Sequence, residues 1–379
     1  MMQQPEQTLA KMLKNGVRAL AAYAEAKASS APDAATVLSV AGSPTEPPGV
    51  VEASPRAGQP AWANFGEWQN VVAARIEELA AAVLTGKPEC FVEQVRWARA
   101  ALEARGFAAE AFRSRLEALR GVLAEQIPEE LAALAIGCLD RALEGIEGDP
   151  RDLASRLSPD TPEGRLAAEY LVAILDGDRH KARRLVIDAA EKGVTVADLY
   201  LKVLLPAQEE LGRMWVLGEI NVAEEHFATT TTRAVMAELQ ARLSGRPTEG
   251  KTFLIAAVPG NQHDLGIQAV ADLFELDGWK VIQLGANVPA EDLGQAVDFY
   301  QPDLVGLSVT LLTQLPALQQ CIAAIRASRH GRAVKILVGG RAVAGCEELV
   351  KAWGGDACAV SAEQGRAIGK ALVQSAQNP

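Results

Sequence analysis

Val258-Pro-Gly-Asn-Gln-His-Asp-Leu-Gly266 is the stretch whose reading decides the fold. It follows the apolar run Phe253-Leu-Ile-Ala-Ala-Val258 and leads into Ile267, Val270, Ala271, Leu273 and Phe274 at helical spacing. That order reads as strand, exposed loop, helix. A loop at the carboxyl end of a strand is where open α/β sheets bind ligands. His263, one of only 4 histidines, sits in that loop between Gly260, which frees the turn, and Gly266, which lets something bulky approach.

The pattern repeats downstream. Strands are predicted at Thr252–Val258, Lys280–Leu284, Leu304–Ser308 and Lys335–Val338, with a weak last one at Ala357–Val360. Helices are predicted between them, at about 265–277, 290–299, 312–328, 341–353 and 361–376. Five strands each followed by a helix imply a five-stranded parallel, doubly wound sheet of flavodoxin-like (Rossmann-like) type over 250–379.

Upstream the chain reads as helix throughout. Residues 160–245 hold four segments, Glu163–Asp176, Asp178–Gly193, Val196–Leu217 and Val222–Ser244. Thr195 precedes the third, and Asn221 with Glu224 three positions on forms a capping box for the fourth. This is a four-helix bundle. Ser244-Gly-Arg-Pro-Thr-Glu-Gly250 reads as the linker to the sheet. Residues 61–150 give four more amphipathic helices with Gly or Pro joints, a bundle suited to docking or dimerisation. Residues 1–60 read as a flexible arm, with a short helix over 1–25 and a Pro- and Ser-rich linker including Ser43-Pro-Thr-Glu-Pro-Pro48.

With 37 basic against 48 acidic residues the net charge is −11. That balance argues against broad binding to nucleic acid or anionic membranes. The 5 cysteines are scattered with no C-x-x-C pair, which suggests neither a disulfide framework nor a zinc site. No apolar run approaches membrane-spanning length, and Leu9 to Ala22 is interrupted by Lys11, Lys14 and Arg18 as no signal-peptide core would be. A cytoplasmic location is expected.

Three loops follow strands 1, 3 and 4 on one edge of the predicted sheet: Asn261-Gln-His263-Asp-Leu-Gly266, Ser308-Val-Thr310 and Gly339-Gly340. The ordered set resembles the cobalamin-binding domain of methionine synthase and its relatives, whose pattern is Asp-x-His-x-x-Gly, Ser-x-Leu or Ser-x-Thr, then Gly-Gly. The resemblance implies that His263 ligates cobalt from below in place of the cofactor's own base. It implies that Asn261, Gln262, Asp264, Leu265, Gly266, Ser308, Thr310, Gly339 and Gly340 line the cofactor's lower side and its nucleotide tail. Asn261 departs from the pattern, because the family has an acid there. A carboxylate would raise the imidazole's basicity, whereas an amide orients without charge, which counts against reversible proton-coupled ligation.

The upstream stretch Trp215-Val-Leu-Gly-Glu-Ile-Asn-Val-Ala-Glu-Glu225-His226-Phe-Ala-Thr229 resembles the helical cap of CarH-type light sensors. In that family the tryptophan and the Glu-His pair lie over the upper face of adenosylcobalamin. The resemblance therefore implies that Trp215, Glu225, His226, Thr229 and Thr230 cover the cofactor from above. On a helix His226, Thr229, Thr230 and Arg233 share one face. Val216 stands where the CarH type has the histidine that becomes the upper cobalt ligand after illumination, so that photoproduct cannot form through this position. The likeness spans about 160–377, and residues 1–150 show no helix-turn-helix pattern, so direct DNA contact is not expected.

The function implied is a cobalamin-binding regulator and photoreceptor. Light would break the cobalt–carbon bond of adenosylcobalamin (methylcobalamin is the other form considered), and the change in cap position would reach a partner or an oligomer through the N-terminal helices. The alternative is a corrinoid methyl carrier serving a separate methyltransferase. A protein without catalysis of its own is expected in the first case.

Overall fold

The computed structural model describes residues 4–29, 68–148, 154–155, 157–242 and 250–377. Residues 30–60 of the expected arm, and nearly all of the 244–250 linker, lie outside them. The chain divides into two compact units, Met1–Leu153 and Ala154–Pro379.

The first unit contains helices α1 (Gln4–Ser29), α2 (Trp68–Thr85), α3 (Pro88–Glu103), α4 (Ala109–Gln126) and α5 (Glu129–Gly145). The expected arm is here corrected. Its first part is a 26-residue helix, not a short loose one, and it packs on α2 and α4. Leu9, Leu13, Val17 and Leu20 recur every three or four positions, and all are buried. Arg115 on α4 holds Glu25 at 2.8 Å. The stripe needs a partner to bury it, and that partner lies some forty residues further along the chain.

The second unit opens with α6 (Pro162–Leu175) and α7 (Arg179–Glu191). Thr161 caps the first through Gly164 N–H at 3.0 Å, and Asp178 caps the second through Lys181 N–H at 2.8 Å. The next helix, expected as one piece from 196 to 217, is not uniform. A turn at Val196–Asp198 passes into a π-helical stretch, Leu199–Leu204, and then into α8 (Leu205–Val216). Pro206 has no N–H and its ring crowds the carbonyl four residues back, so the helix widens ahead of it and Leu205 N–H reaches Tyr200 O. Helix α9 (Val222–Ala241) begins at the expected capping box, with Asn221 Oδ1 accepting from Glu224 N–H and Glu224 Oε2 from Asn221 N–H.

The sheet follows: β1 (Thr252–Ala257), α10 (Leu265–Leu276), β2 (Lys280–Gly285), α11 (Ala290–Tyr300), β3 (Leu304–Ser308), α12 (Leu315–Ala327), β4 (Lys335–Gly339), α13 (Glu347–Ala352), β5 (Ala357–Ala359) and α14 (Ala362–Gln377). All five strands are parallel in the order β2-β1-β3-β4-β5. This is the predicted doubly wound fold, its strand ends within a residue or so of expectation. The helix expected over 341–353 is broken: a single turn at Arg341–Val343 and Gly345, at φ +69°, precede α13. The core beneath α10 rests on Phe253, Phe274 and Trp279, with ring centroids 4.3 and 5.0 Å apart in succession.

Register places the site. Ala257 pairs with Ser308 and Ser308 with Gly339, so the three motif loops leave the sheet side by side at its carboxyl edge.

Candidate functional site

Asn261 is the hinge of the lower loop and is fully buried. Its Nδ2 donates to Ser308 O at 3.1 Å, which fixes which end of the amide faces inward. Its Oδ1 then accepts twice, from His263 N–H and from His263 Nδ1, each at 3.1 Å. An amide oxygen can only accept, so Nδ1 carries the imidazole proton and Nε2 keeps a lone pair. The side chain reaches solvent, yet protein is packed densely around it. That desolvation is the main cause holding its pKa below the ordinary histidine value, against smaller opposing effects of Glu225 and Asp264. A neutral, oriented imidazole with a free nitrogen is a metal ligand in waiting.

The glycines have separate reasons. A Cβ on Gly266 would meet nothing within 4 Å, so that position borders open space. Gly340 is demanded by the backbone itself, at φ +117° with a Cβ only 2.1 Å from Val309 O. Gly339 is half-buried and accepts from Val309 N–H at 2.9 Å. Ser308 serves through its carbonyl, bonded to Val258 N–H and Asn261, and Thr310 N–H donates to Gln314 Oε1 at 3.1 Å. Gln262 is exposed, while Leu265 is half-buried and packs on the helical cap.

On the cap side, Glu225 binds both His226 Nδ1 and the Thr229 hydroxyl at 2.7 Å. Arg233 reaches across to Asp264 at 2.7 Å, joining α9 directly to the His263 loop. Thr230 is exposed. Thr231 and Thr232 turn inward, where Thr232 binds Tyr170 at 2.8 Å and Gln208 at 2.7 Å, so only half of the threonine run faces outward. Trp215 is half-buried and packs against the cap's own core.

Two braces escape the sequence reading. Asn287, after β2 and at φ +55°, accepts from Gly260 N–H at 2.7 Å, and its own N–H reaches Asn261 O at 3.1 Å. Gln314 accepts from Thr310 and Leu311 N–H and donates to Gly260 O at 3.0 Å. Only an asparagine between a strand end and Val288-Pro289 hinted at the first, as a residue tolerant of positive φ.

Comparison with known families matches residues 251–371 to a B12 binding domain and residues 166–240 to a second B12 binding domain. The chain belongs to the B12-binding proteins. Over 169 residues it is 31% identical to the HTH-type transcriptional repressor CarH of Myxococcus xanthus, covering 43% of this chain and 55% of that one. It thus spans about half the length of that repressor. It is 25% identical over 179 residues to a corrinoid protein of Desulfitobacterium hafniense, covering 46% of this chain and 83% of that one. Among solved structures, the Methanosarcina barkeri monomethylamine corrinoid protein aligns at 19% identity and TM-score 0.48, over 56% of this chain and 98% of the other.

The residues fit a corrinoid. Among the described residues no three His, Cys, Asp or Glu side chains converge to cage an ion. A metal already held by a macrocycle needs only one nitrogen from the protein, and His263 Nε2 is the one that this loop leaves free. Open space at Gly266 and the exposed loop around it suit a bulky ring. Asn261→Asp is expected to raise the His263 pKa by about one unit or more, since a carboxylate at Nδ1 favours the imidazolium. An NMR pH titration of the cofactor-free protein checks this; an unchanged midpoint would contradict the role given to the amide.

Proposed function

We propose that the second unit is a cobalamin-based light sensor, with adenosylcobalamin held between α9 and the His263 loop, methylcobalamin being the other candidate form. When bound, the cofactor supplies a cobalt–carbon bond that light can break, and with it an upper group that favours one cap position. His263 Nε2 would ligate from below, kept neutral by desolvation and aimed by Asn261. Glu225, His226 and Thr229 would cover the upper side as one hydrogen-bonded group, with Trp215 beside them. One observation carries this reading: α9 and the His263 loop lie side by side, close enough for Glu225 to act on His263's ionisation and for Arg233 to bond Asp264. The likeness to a transcriptional repressor supports a regulatory role. Output is proposed to pass through the N-terminal helices to a protein partner or a second copy rather than to DNA, in keeping with the net charge of −11.

The test is the visible spectrum of the full chain reconstituted in the dark with adenosylcobalamin, before and after green light, with sizing chromatography of both samples. The expected result is a permanent spectral change with a change in assembly. Binding without a light-driven change in assembly favours the methyl-carrier reading, which the corrinoid-protein relatives also support. No binding overturns both.

A further inference from the structure

Between the cap and the sheet layer lies a buried carboxyl that the cofactor site does not use. Asp272 stands on α10, fully buried. Its Oδ2 is 2.6 Å from the hydroxyl of Tyr200, a residue of the π-helical stretch, and the same hydroxyl is 3.1 Å from Met236 O on α9. Among the described residues Asp272 Oδ1 has no hydrogen-bond partner.

Among the described residues no cation compensates it. Lys202 beside Tyr200 pairs with Asp198, Arg233 on α9 with Asp264, and Arg366 and Lys370 on α14 with Asp277. Lys280 on β2 is exposed. The charge that does face it is Glu275, one turn further along α10 and bonded by Gln240 of α9 at 3.4 Å, and it is of the same sign. An ionised carboxylate in such a place would be a buried, unpaired charge with half of its acceptors unused.

Proton counting resolves the cluster. A phenol has one proton, yet Tyr200 touches two oxygens. Met236 O can only accept. If Asp272 keeps its proton, Oδ2–H donates to Tyr200 and Tyr200 donates onward to Met236 O, so both contacts are hydrogen bonds. The 2.6 Å separation suits a strong O–H···O bond.

We propose that Asp272 is a proton-held latch across this seam. Neutral, it relays hydrogen bonds through Tyr200 and keeps α9 seated on α10; ionised, it sets an unpaired charge in the apolar seam and loosens that seating. Because α10 starts at the His263 loop and α9 carries Glu225 and Arg233, the latch sets the spacing between α9 and that loop. It acts without bound cofactor.

Burial is the chief cause that pushes Asp272 up to about 7, with a further push from Glu275; the opposing pull, that of a phenol donating to the carboxylate, is absent when the acid itself donates. The folded form therefore holds a proton that the unfolded chain has already released. The latch's contribution is complete below the ordinary aspartate range, shrinks as pH rises, and is gone above about pH 7.

The test uses the full-length, cofactor-free protein, its thermal midpoint followed from about pH 5 to about pH 9 beside Asp272→Asn, whose amide donates to Tyr200 at every pH. The expected result is a midpoint that falls relative to Asp272→Asn as pH rises, with its inflection near neutrality. Parallel curves overturn the proposal. Should Asp272→Asn fail to fold, Tyr200→Phe decides. Loss of the phenol's acceptor oxygen then moves the inflection to lower pH, whereas no movement, or a rise, shows that the phenol had been donating to a carboxylate.

Discussion

Gly340→Ala is expected to cost the α/β layer on the order of 4 kcal/mol, summing a backbone-strain and an overpacking contribution. The residue sits at φ +117° and ψ +170°, a conformation that is essentially glycine's alone. An added Cβ would also lie 2.1 Å from Val309 O and 2.8 Å from Val309 C. Both contacts are to backbone, so no side chain can swing away. Relief requires β4's loop to part from β3's, which would break the Gly340 N–H bond to Ala359 O or the Val309 N–H bond to Gly339 O. At roughly 2–4 °C per kcal/mol for a unit of this size, the thermal midpoint of the sheet-containing transition should drop by about 10 °C. A midpoint within about 2 °C of the parent would show that the loop relaxes at little cost. Gly266→Ala is the control: open space around it predicts a near-unchanged midpoint, and any effect should appear only with cofactor.

The two glycines illustrate what the sequence makes legible. Both were expected to make room for the cofactor's tail, and residue identity alone cannot separate a glycine needed for a ligand from one needed for φ. The strands, by contrast, stand out, because Phe253 to Val258 and Leu304 to Leu307 are apolar runs between turn signals and are buried along their length. The capping box at Asn221 and Glu224 is equally plain, since both partners are local in sequence. What escapes is held by contacts distant in sequence. Gln314 joins the loops after β1 and β3 across 54 positions, and nothing near it in the chain signals that duty. The Leu9–Leu20 stripe of α1 is visible in the sequence, but α2 and α4, which cover it, are distant in the chain. Asp272 interrupts the apolar face of α10, and a buried acid in such a face is a signal, but its partner Tyr200 lies 72 residues away. Pro206 marks a disturbance in the cap helix, but not that a π-helical stretch ahead of it absorbs the disturbance.

If His263 ligates cobalt as proposed, His263→Ala is expected to remove that bond and, with it, most of the affinity for cobalamin. Loss of an outer partner that merely orients a ligand costs about 10–100-fold, so loss of the ligand itself should cost at least about 100-fold. The arrangement argues for so large an effect because, among the described residues, the polar side chains beside His263 are already engaged. Asp264 is held by Arg233 at 2.7 Å, Glu225 by its own contacts to His226 and Thr229 on the cap side, and Asn261 is spent on Ser308 and the loop backbone. The fold should survive. His263 contributes a rim side chain, while the loop's shape rests on Asn261, Asn287 and Gln314, all of which remain. Equilibrium binding of adenosylcobalamin, read beside the dark spectrum and the thermal midpoint, separates the outcomes. Weakened binding with an altered spectrum and an unchanged midpoint supports axial ligation by His263. Unchanged affinity and spectrum would mean that cobalt keeps its own base and the imidazole only lies beside the cofactor. Where His263 is the ligand, Asn261→Ala should be the more damaging variant in the midpoint, and His263→Ala in the spectrum, because one residue builds the loop and the other presents the nitrogen.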